Sequence, residues 1–587
     1  MTKYKFFLSV LTLIIICLFN VFDVRTAFKN YDNAVFAQNN INMQIVINQV
    51  GYYQNNPKVA FLINGDINQN NVQLVNVRNQ EPVFVTSVGN PYTEEDSKKV
   101  IQRIDFTEFN REGNYYLQYG NIKSYPFRIG SDVYQNPFKL LLRSYYLQRC
   151  GVAVQDRVTG VRHPACHVND GLIAHTDTYK VQGNFITAKG GWHDAGDFGK
   201  YVGPTSIAVG RLLNLYEQYP KLFSDRQLTI PESGNRIPDI LDEAKIGIDW
   251  MLTMQRLDGA VYRKLSGKNW PGFISPHEDK QPRFVYGIST SETAKFAAVM
   301  AMAARIYSPF HPRFAQNCLK AAEKAWSFLE TQPALKIDWV EGDDSGSGSY
   351  IDNSVDQQEA LKRDRDHRLW AAAELYITTG RANFENYLAQ IIPVTEYTLF
   401  QWTNPSSLGM MDYLLMTRQP YNVGLLKQIQ EKLITRANLA LKKVETSPWR
   451  LANQQFIWGS NKLVAEEGIT LMYAYRIKKN PAYLQAAIDQ LDYLLGRNHF
   501  NKSFVSGVGT NFVRNVHHRI AIAQKIIIPG LLVGGPNTQA QDGIAPKDMK
   551  ALSYIDDERS YATNEYAIDY NASLIGLLGM LMQLSER

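Results

Sequence analysis

A closely packed helix is predicted by the alanine-rich run Ala297-Ala298-Val299-Met300-Ala301-Met302-Ala303-Ala304. Alanine favours the helical conformation, and its small side chain lets neighbouring helices approach closely. A second run of this kind, Trp370-Ala371-Ala372-Ala373, follows later in the chain. Both runs indicate a part of the molecule that is built from helices packed on helices.

The same helical spacing extends over the chain beyond Val133. Apolar residues recur there at intervals of three and four in about a dozen segments, which is the period of an amphipathic helix. The clearest are Asn136–Cys150, Thr205–Tyr219, Ile237–Gln255, Ser291–Tyr307, Phe314–Thr331, Arg368–Thr379, Phe384–Ile392, Tyr421–Val444, Leu463–Lys479, Tyr483–Arg497 and Tyr566–Leu584. No sequence repeat of fixed period accompanies them, which disfavours a simple solenoid. Helices in series with long loops suggest a closed double ring, with the functional site in the loops at one end.

The chain before this point has a strand-like pattern. Short β-branched or aromatic runs are separated by Asn, Gly, Pro and Asp, as in a β-sandwich of immunoglobulin type. These runs are Ile45–Ile47, Val59–Ile63, Val72–Val75, Pro82–Val85, Tyr115–Tyr119 and Tyr125–Arg128. No catalytic cluster lies among them. We therefore predict a structural β-sandwich over residues 42–130 and an all-α domain over residues 133–587.

The composition is that of a globular protein, with 45% hydrophobic and 20% charged residues. The net charge of +6 is spread over 587 residues without a dense basic stripe, which argues against nucleic acid as a partner. The aromatic share of 12% is high. A carbohydrate cleft would use such residues, because the C–H faces of sugars stack on aromatic rings.

The N-terminus has the pattern of a secretory signal. Lys3 and Lys5 precede an almost unbroken apolar run over Phe6–Phe22, and the small residue Ala37 fits a cleavage position. We predict a signal peptide over residues 1–37 and a secreted protein, extracellular or periplasmic, with no membrane contact after cleavage. The alternative is an uncleaved single-span anchor, which would export the body of the protein as well.

Two aspartates stand three residues apart in Gly190-Gly191-Trp192-His193-Asp194-Ala195-Gly196-Asp197-Phe198. The small residues around them let the backbone approach a ligand closely, so that both carboxylates can face one point. Two close carboxylates can position a water and accept its proton as it attacks. An Asp-rich surface turn is the plainer interpretation of such a string.

Two thiols and two imidazoles form a second candidate group, consisting of Cys150, Cys166, His167 and His193. Four such ligands make a complete tetrahedral zinc set, and a closed set of four is structural because it leaves no position for water. A Cys150–Cys166 disulfide is the rival, since an exported protein permits it. Zinc is favoured because His193 adjoins the aspartates, where a rigid cross-link would be useful.

A third group lies near the C-terminus. Glu565 is near the start of the last predicted helix, with Tyr561 and Tyr566 beside it. A partly apolar surround raises the pKa of a carboxyl group and keeps it protonated, as a general acid requires. The alternative is a helix-capping glutamate. His517-His518-Arg519, in a preceding Gly-rich loop, could bind hydroxyl groups or a metal.

Together these blocks resemble glycoside hydrolase family 9, in the subgroup that carries an N-terminal immunoglobulin-like domain. Asn48–Tyr52 is similar to the opening of that domain, and Gly190–Asp197 is similar to the first active-site block. Ser503–Arg519 resembles the histidine block, with Val516 where many members have proline. Tyr554–Ala572 resembles the acidic block, so the resemblance covers essentially the whole mature chain.

The resemblance implies an (α/α)6 barrel and inverting hydrolysis of β-1,4-linked glycans. It implies Asp197 as general base, Asp194 as a second holder of the water and Glu565 as general acid. The remaining expected site residues are Asp556 as a further acidic residue, His517 and Arg519 at the cleavage point, and Tyr561 and Trp192 as substrate contacts.

The resemblance also implies a zinc held by the Cys/His set, and calcium is common in the family. The acidic loop Asp343–Asp366 is the candidate for calcium, although Ser349–Asp352 matches poorly. We expect a monomeric endo-β-1,4-glucanase acting on cellulose or related glucans. The alternatives are an exo-acting glucanase, cellodextrinase or exo-β-glucosaminidase, an inactive carbohydrate-binding protein, or an exported metalloprotein of another kind.

Overall fold

The computed structural model describes residues 43–66, 70–348, 364–416 and 420–585. The predicted signal peptide, residues 1–37, lies outside these ranges. Over the ranges described, no helix combines the length and the apolar character needed to cross a lipid bilayer.

The N-terminal part is a two-sheet sandwich. Its strands are β1 (Gln44–Val46), β2 (Gly51–Tyr52), β3 (Val59–Ile63), β4 (Asn71–Asn76), β5 (Pro82–Ser87), β6 (Tyr92–Thr93), β7 (Val100–Asp105), β8 (Gly113–Tyr119), β9 (Ile122–Lys123) and β10 (Phe127–Ile129). One sheet has the order β1-β3-β7-β6, and the other has the order β2-β10-β8-β4-β5 with β9 on β8. The predicted immunoglobulin-like sandwich is confirmed.

Strand β3 is buried on both faces. Ala60 and Leu62 belong to the core of the sandwich, whereas Phe61 belongs to the large core of the helical domain. The ring of Phe61 packs edge-on against Trp449 with ring centroids 5.9 Å apart. Successive side chains of a strand point to opposite faces, so β3 contributes to the cores of both domains.

The helical domain begins directly after the sandwich. Its helices are α1 (Gln135–Leu147), α2 (Val202–Gln218), α3 (Asp239–Thr253), α4 (Thr290–Tyr307), α5 (Pro312–Thr331), α6 (Arg365–Thr379), α7 (Ala382–Ile391), α8 (Ser406–Met416), α9 (Val423–Thr446), α10 (Ser460–Lys478), α11 (Pro481–Leu494), α12 (Arg519–Gln524), α13 (Tyr561–Asn564) and α14 (Ile568–Ser585).

Six of these helices form an inner ring, and six others surround it. The inner helices are α2, α4, α6, α8, α10 and α14, and their outer partners are α3, α5, α7, α9, α11 and α1 respectively. The run Ala297–Ala304 lies in α4, and every residue of this run is buried. The predicted (α/α)6 barrel is confirmed.

Long segments precede the inner helices and gather at one end of the barrel. Short strands stiffen them: β11 (Val154–Gln155) pairs with β12 (Arg162–His163), and a small sheet has the order β13 (Leu172–Ile173), β16 (Phe284–Val285), β15 (Lys264–Ser266) and β14 (Lys200–Tyr201). Helix α2 starts five residues after Asp197, and helix α14 starts three residues after Glu565. Both predicted catalytic residues thus lie at this end.

Candidate active site and metal centre

The segment Gly190–Phe198 is held rigidly by its backbone. Gly191 has a positive φ of 75°, and a Cβ there would lie 2.8 Å from the Trp250 side chain, so glycine is required. The Asp194 amide donates to the carbonyl of Gly199 (2.9 Å), and the Asp194 carbonyl accepts from the Ile568 amide at the start of α14 (2.9 Å). The predicted bend is therefore fixed from both sides.

Trp192 does not line the cleft, which corrects the prediction that it contacts substrate. Its side chain is fully buried, and its indole N–H donates to Glu243 (2.9 Å). The ring packs against Tyr145 at a centroid distance of 4.9 Å. Trp192 is therefore a core residue beneath the segment.

Asp197 is nearly buried and is oriented through one carboxylate oxygen. Its Oδ2 accepts from the hydroxyl of Tyr201 (3.0 Å) and from the backbone amide of Gly199 (3.1 Å). Asp194 lies beside it and is also buried. A carboxylate fixed through one oxygen can present the other to a water.

Glu565 approaches the same segment from α13. The backbone of Glu565 forms a β-bridge with His517, and Ala567, two residues later, forms a β-bridge with Ala195. A Cβ on Gly196 would lie 3.0 Å from Oε1 of Glu565, so the missing side chain at this position admits the carboxyl group. Burial, and then the negative charge of Asp197, raise the pKa of Glu565 to about 8, against the opposing effect of Arg519. Glu565 is therefore protonated at neutral pH.

His517 and Arg519 stand next to these carboxyl groups. Burial lowers the pKa of His517 to about 4, so the ring is neutral. Its Nδ1 donates to the carbonyl of Glu558 (2.6 Å), which leaves Nε2 as the acceptor nitrogen. Arg519 donates to the carbonyl of Pro271 (2.8 Å), and its own amide donates to the carbonyl of Gly196 (3.1 Å).

Aromatic side chains border this group. Phe273 lies 5.5 Å and Tyr561 lies 6.0 Å from the His517 ring, measured between centroids, and both are exposed. Trp270 and Trp339 are also exposed on loops at this end of the barrel. The sequence alone indicates no role for Phe273, Trp270 or Trp339, because their exposure is what marks them and the sequence pattern does not show exposure.

Asp556 lies behind the site and organises a loop. Its carboxylate accepts from the backbone amides of Arg514 (3.1 Å) and Asn515 (2.9 Å) and from Nζ of Lys502 (3.0 Å). These contacts fix the segment that carries His517. A direct part for Asp556 in the chemistry stays a prediction, and the geometry gives it a supporting place.

The four predicted metal ligands come together. One ligand atom from each of Cys150, Cys166, His167 and His193 lies within 4.8 Å of the others. Sγ of Cys150 is 3.7 Å from Nδ1 of His167, Sγ of Cys166 is 3.8 Å from Nε2 of His193, and the two ring nitrogens are 3.4 Å apart. Bond lengths of about 2.3 Å for Zn–S and about 2.0–2.1 Å for Zn–N give tetrahedron edges close to these spacings.

The surroundings also suit a bound cation with two thiolates. Both cysteines are free thiols, which argues against the disulfide alternative. Asp279 lies 3.4 Å from Nε2 of His167, in the place where metal-bound histidines usually meet a carboxylate. Burial opposes ionisation of Cys150, but its hydrogen bond with Cys166 and the positive charge of Lys200 hold the pKa of this thiol well below its usual value. The pKa of Cys166 is raised instead, first by its hydrogen bond with Cys150 and then by burial, and Arg283 opposes that rise.

The acidic loop proposed for calcium is only partly described, since residues 349–363 lie outside the described ranges. Asp343 contacts His175 and Arg263, and Asp344 contacts Lys264 (2.9 Å). Arg263 and Lys264 therefore already supply a cation to each of the two carboxylates. In the described part of the chain, the Cys/His set is the group whose geometry could hold a metal ion.

Comparison with known proteins agrees with this architecture. Residues 134–578 match the model of glycosyl hydrolase family 9, and residues 41–124 match that of the cellulase N-terminal ig-like domain. Endoglucanase D of Acetivibrio thermocellus is 36% identical over 546 residues, covering 91% of this chain and 82% of that protein.

Two further relatives are similar over nearly their whole length. The xyloglucan-specific endo-beta-1,4-glucanase BoGH9A of Bacteroides ovatus is 32% identical over 569 residues, covering 93% of this chain and 94% of that protein. The crystal structure of a metagenome-derived glycoside hydrolase family 9 endoglucanase superposes with a TM-score of 0.86 at 40% identity, covering 92% of this chain and 99% of that one.

Proposed function

We propose that this chain, which belongs to glycosyl hydrolase family 9, is an inverting endo-β-1,4-glucanase that acts on cellulose or related β-glucans. The observation that carries the mechanism is that the Glu565 carboxyl lies against Gly196, the residue before Asp197, and is close enough to Asp197 to be affected by its charge. Glu565 is kept protonated there by burial and by the charge of Asp197. A protonated and an ionised carboxyl in one cleft are the two groups that glycoside hydrolysis requires.

Asp197 acts as the general base in this proposal. With Oδ2 occupied by Tyr201 and Gly199, Oδ1 accepts the proton of a water that attacks the anomeric carbon. Asp194 holds the same water from the neighbouring loop position. The water attacks the face opposite the leaving group, so the configuration at the anomeric carbon inverts.

Glu565 acts as the general acid. Its proton passes to the glycosidic oxygen as the bond breaks, so that the leaving sugar departs as an alcohol. The neutral His517 ring and the Arg519 guanidinium bind sugar hydroxyls at the cleavage point. The exposed rings of Phe273 and Tyr561 provide faces on which adjacent sugar units stack.

Cys150, Cys166, His167 and His193 would hold zinc in a structural role. The bound ion would supply a rigid cross-link between the segments at residues 150, 166 and 193, without taking part in hydrolysis. His193 directly precedes Asp194, so this cross-link bears on the position of the catalytic loop. The distances among the four ligand atoms support the assignment.

Export and a monomeric state complete the proposal. The charged and apolar leader of residues 1–22 supports secretion, and a polymeric substrate outside the cell requires it. Direct measurement of the mature N-terminus and of the mass in solution tests both points.

Paired substitutions test the catalytic assignment. Glu565→Gln should lower kcat on carboxymethyl cellulose by about 10²–10⁴-fold, because proton donation is lost while the side-chain shape is kept. Asp197→Asn should lower it to a similar extent. Both variants should still bind cello-oligosaccharides in calorimetry. Near-normal turnover by either variant would remove that residue from its role.

An exposed carboxylate offers the matched control. Glu431 is on α9, outside the site, and its Lys427 partner lies 3.9 Å away on the surface. Glu431→Gln should leave kcat unchanged, since an exposed pair of this kind contributes about 0–1 kcal/mol to stability.

A further inference from the structure

We propose that Tyr201 is the positioning residue for the Asp197 base, fixing one carboxylate oxygen so that the other is left to the attacking water. The inference rests on the base role proposed for Asp197. It goes further by assigning the orientation of that base to one phenol and to the loop that contacts it.

Two donors converge on a single oxygen of Asp197. The Tyr201 hydroxyl is 3.0 Å and the Gly199 amide is 3.1 Å from Oδ2. Within the described ranges, Oδ1 accepts no protein hydrogen bond. A carboxylate held in this way cannot rotate about its Cβ–Cγ bond without losing both contacts, so Oδ1 is held in one position.

The hydroxyl proton of Tyr201 is directed by a third group. The backbone amide of Gly348 donates to the Tyr201 oxygen (3.2 Å), which leaves the phenolic proton for Asp197. Burial, and then the charges of Asp197 and Asp194, raise the pKa of Tyr201 well above its usual value. The phenol is therefore a donor throughout the working pH range of the enzyme.

The sheet at the barrel end sets the position of Tyr201. Strand β14 places it opposite Lys264 of β15, and Nζ of Lys264 donates to the carbonyl of Gly348 (3.0 Å). The same sheet thus orients the phenol and the amide that donates to it. Tyr201 is buried, and helix α2 begins at the following residue.

Gly199 leaves the space that this arrangement needs. A Cβ at this position would lie 2.2 Å from the Tyr201 oxygen and 2.8 Å from Oδ2 of Asp197. Any larger residue would push the hydroxyl and the carboxylate apart. Gly199→Ala therefore disturbs the same contact while it keeps the phenol.

The test compares Tyr201→Phe with the full-length parent enzyme. Loss of the hydroxyl should lower kcat by about 10–100-fold with little change in KM, because the base is misoriented while the sugar contacts remain. Glu565 and His517, whose side chains also lie near Asp197, are unchanged in this variant. The basic limb of the pH–rate profile should therefore stay in place.

Tyr262→Phe is the matched control. Its hydroxyl also donates to a carboxylate, that of Asp177 (2.8 Å), and its backbone bridges Ile288 rather than the catalytic segment. This variant should keep the parent kcat and pH profile. A merely structural effect of deleting a Tyr–Asp hydrogen bond would change both variants alike.

Two outcomes separate this inference from the proposed function. If Asp197→Asn is inactive but Tyr201→Phe keeps kcat within about twofold, the positioning role is overturned. If Asp197→Asn keeps normal turnover, the base assignment fails instead. Should Tyr201→Phe fail to fold, Gly199→Ala decides: a comparable loss of kcat supports the inference, and parent-like activity overturns it.

Discussion

Glu565 is the residue that should determine how the activity of this enzyme falls at high pH. Its pKa is raised to about 8, chiefly by burial and then by the charge of Asp197. The general acid is active while protonated, so kcat/KM should fall as the pH rises through about 8. A pH–rate profile on a neutral cello-oligosaccharide measures this limb. Activity that declines above pH 5, or that stays level to pH 10, would contradict the assignment.

The raised pKa of Glu565 also predicts that stability depends on pH. Folding raises the pKa of Glu565 above the usual value of about 4.3, so the folded state binds the extra proton between that value and about 8. The free energy of unfolding should fall through this window as the pH rises. Glu565→Gln lacks this proton, and its thermal midpoint should rise relative to the parent between pH 5 and pH 8.5. An unchanged difference between the two midpoints would show that Glu565 is not perturbed.

Single residues were predictable from the sequence where their chemistry and their neighbours in the chain defined them. The structure brings Asp197, Glu565 and His517 together as predicted, and the Cys/His set likewise. Trp192 was wrongly assigned to the substrate, because the direction of a side chain depends on backbone φ angles that a sequence of glycines leaves open.

The candidate metal centre connects three loop segments, at residues 150, 166–167 and 193. Replacing Cys150 by Ser should abolish stoichiometric zinc, lower the thermal midpoint and reduce kcat, since His193 adjoins Asp194. Elemental analysis of the purified protein measures about one zinc per chain in the parent.

Cys318→Ala is the control for this prediction. Cys318 is a buried free thiol in α5 and is outside the ligand set. The variant should keep its zinc and its kcat. A parent protein that lacks zinc, or a Cys150→Ser variant that keeps it, would overturn the metal assignment.

Elements with a clear period were predictable, and fully buried or mixed elements were not. The inner helix α8 was missed because Ser406–Met416 is buried along most of its length, so no polar face marks the helical period. The central strand β7 was missed because Val100–Asp105 carries Gln, Arg and Asp among its apolar residues. Both are fixed by their neighbours in the barrel and the sandwich.

The two domains of the whole molecule share a buried polar interface. Gln49 of the sandwich accepts from the amides of Thr510 (3.1 Å) and Asn511 (2.7 Å), in the loop that leads to His517. Asn48 donates to Asp492 of α11 (2.9 Å). The sandwich thus supports a loop of the site, which the sequence could not reveal because these contacts join residues more than 400 positions apart.

Arg497 is the centre of this interface. It pairs with Asp489 (2.8 Å) and Asp492 (3.3 Å), and all three side chains are fully buried. Burial raises the pKa of Asp492 to about 7, and Arg497 opposes that rise. Arg497→Met leaves the buried carboxylate of Asp492 without its cation, while Asp489 keeps Arg450 (2.7 Å), and should cost about 3–5 kcal/mol of unfolding free energy.

Chemical denaturation measures this loss, with Arg103→Met as the control. Arg103 pairs with Asp105 on the surface of the sandwich, with side chains 42% and 48% exposed. An exposed pair contributes about 0–1 kcal/mol, so the control should resemble the parent. An Arg497→Met variant that is as stable as the control would show that the interface tolerates an unpaired Asp492 carboxylate.

The central claim is that Asp197 and Glu565 act from opposite sides of the bond with a water between them. Proton NMR of the first products from a cello-oligosaccharide tests it most directly, because it reads the anomer before mutarotation. Inversion at a β-linkage predicts that the α-anomer of the new reducing end appears first. If the β-anomer appears first, the enzyme retains configuration and the proposed acid/base pair is wrong.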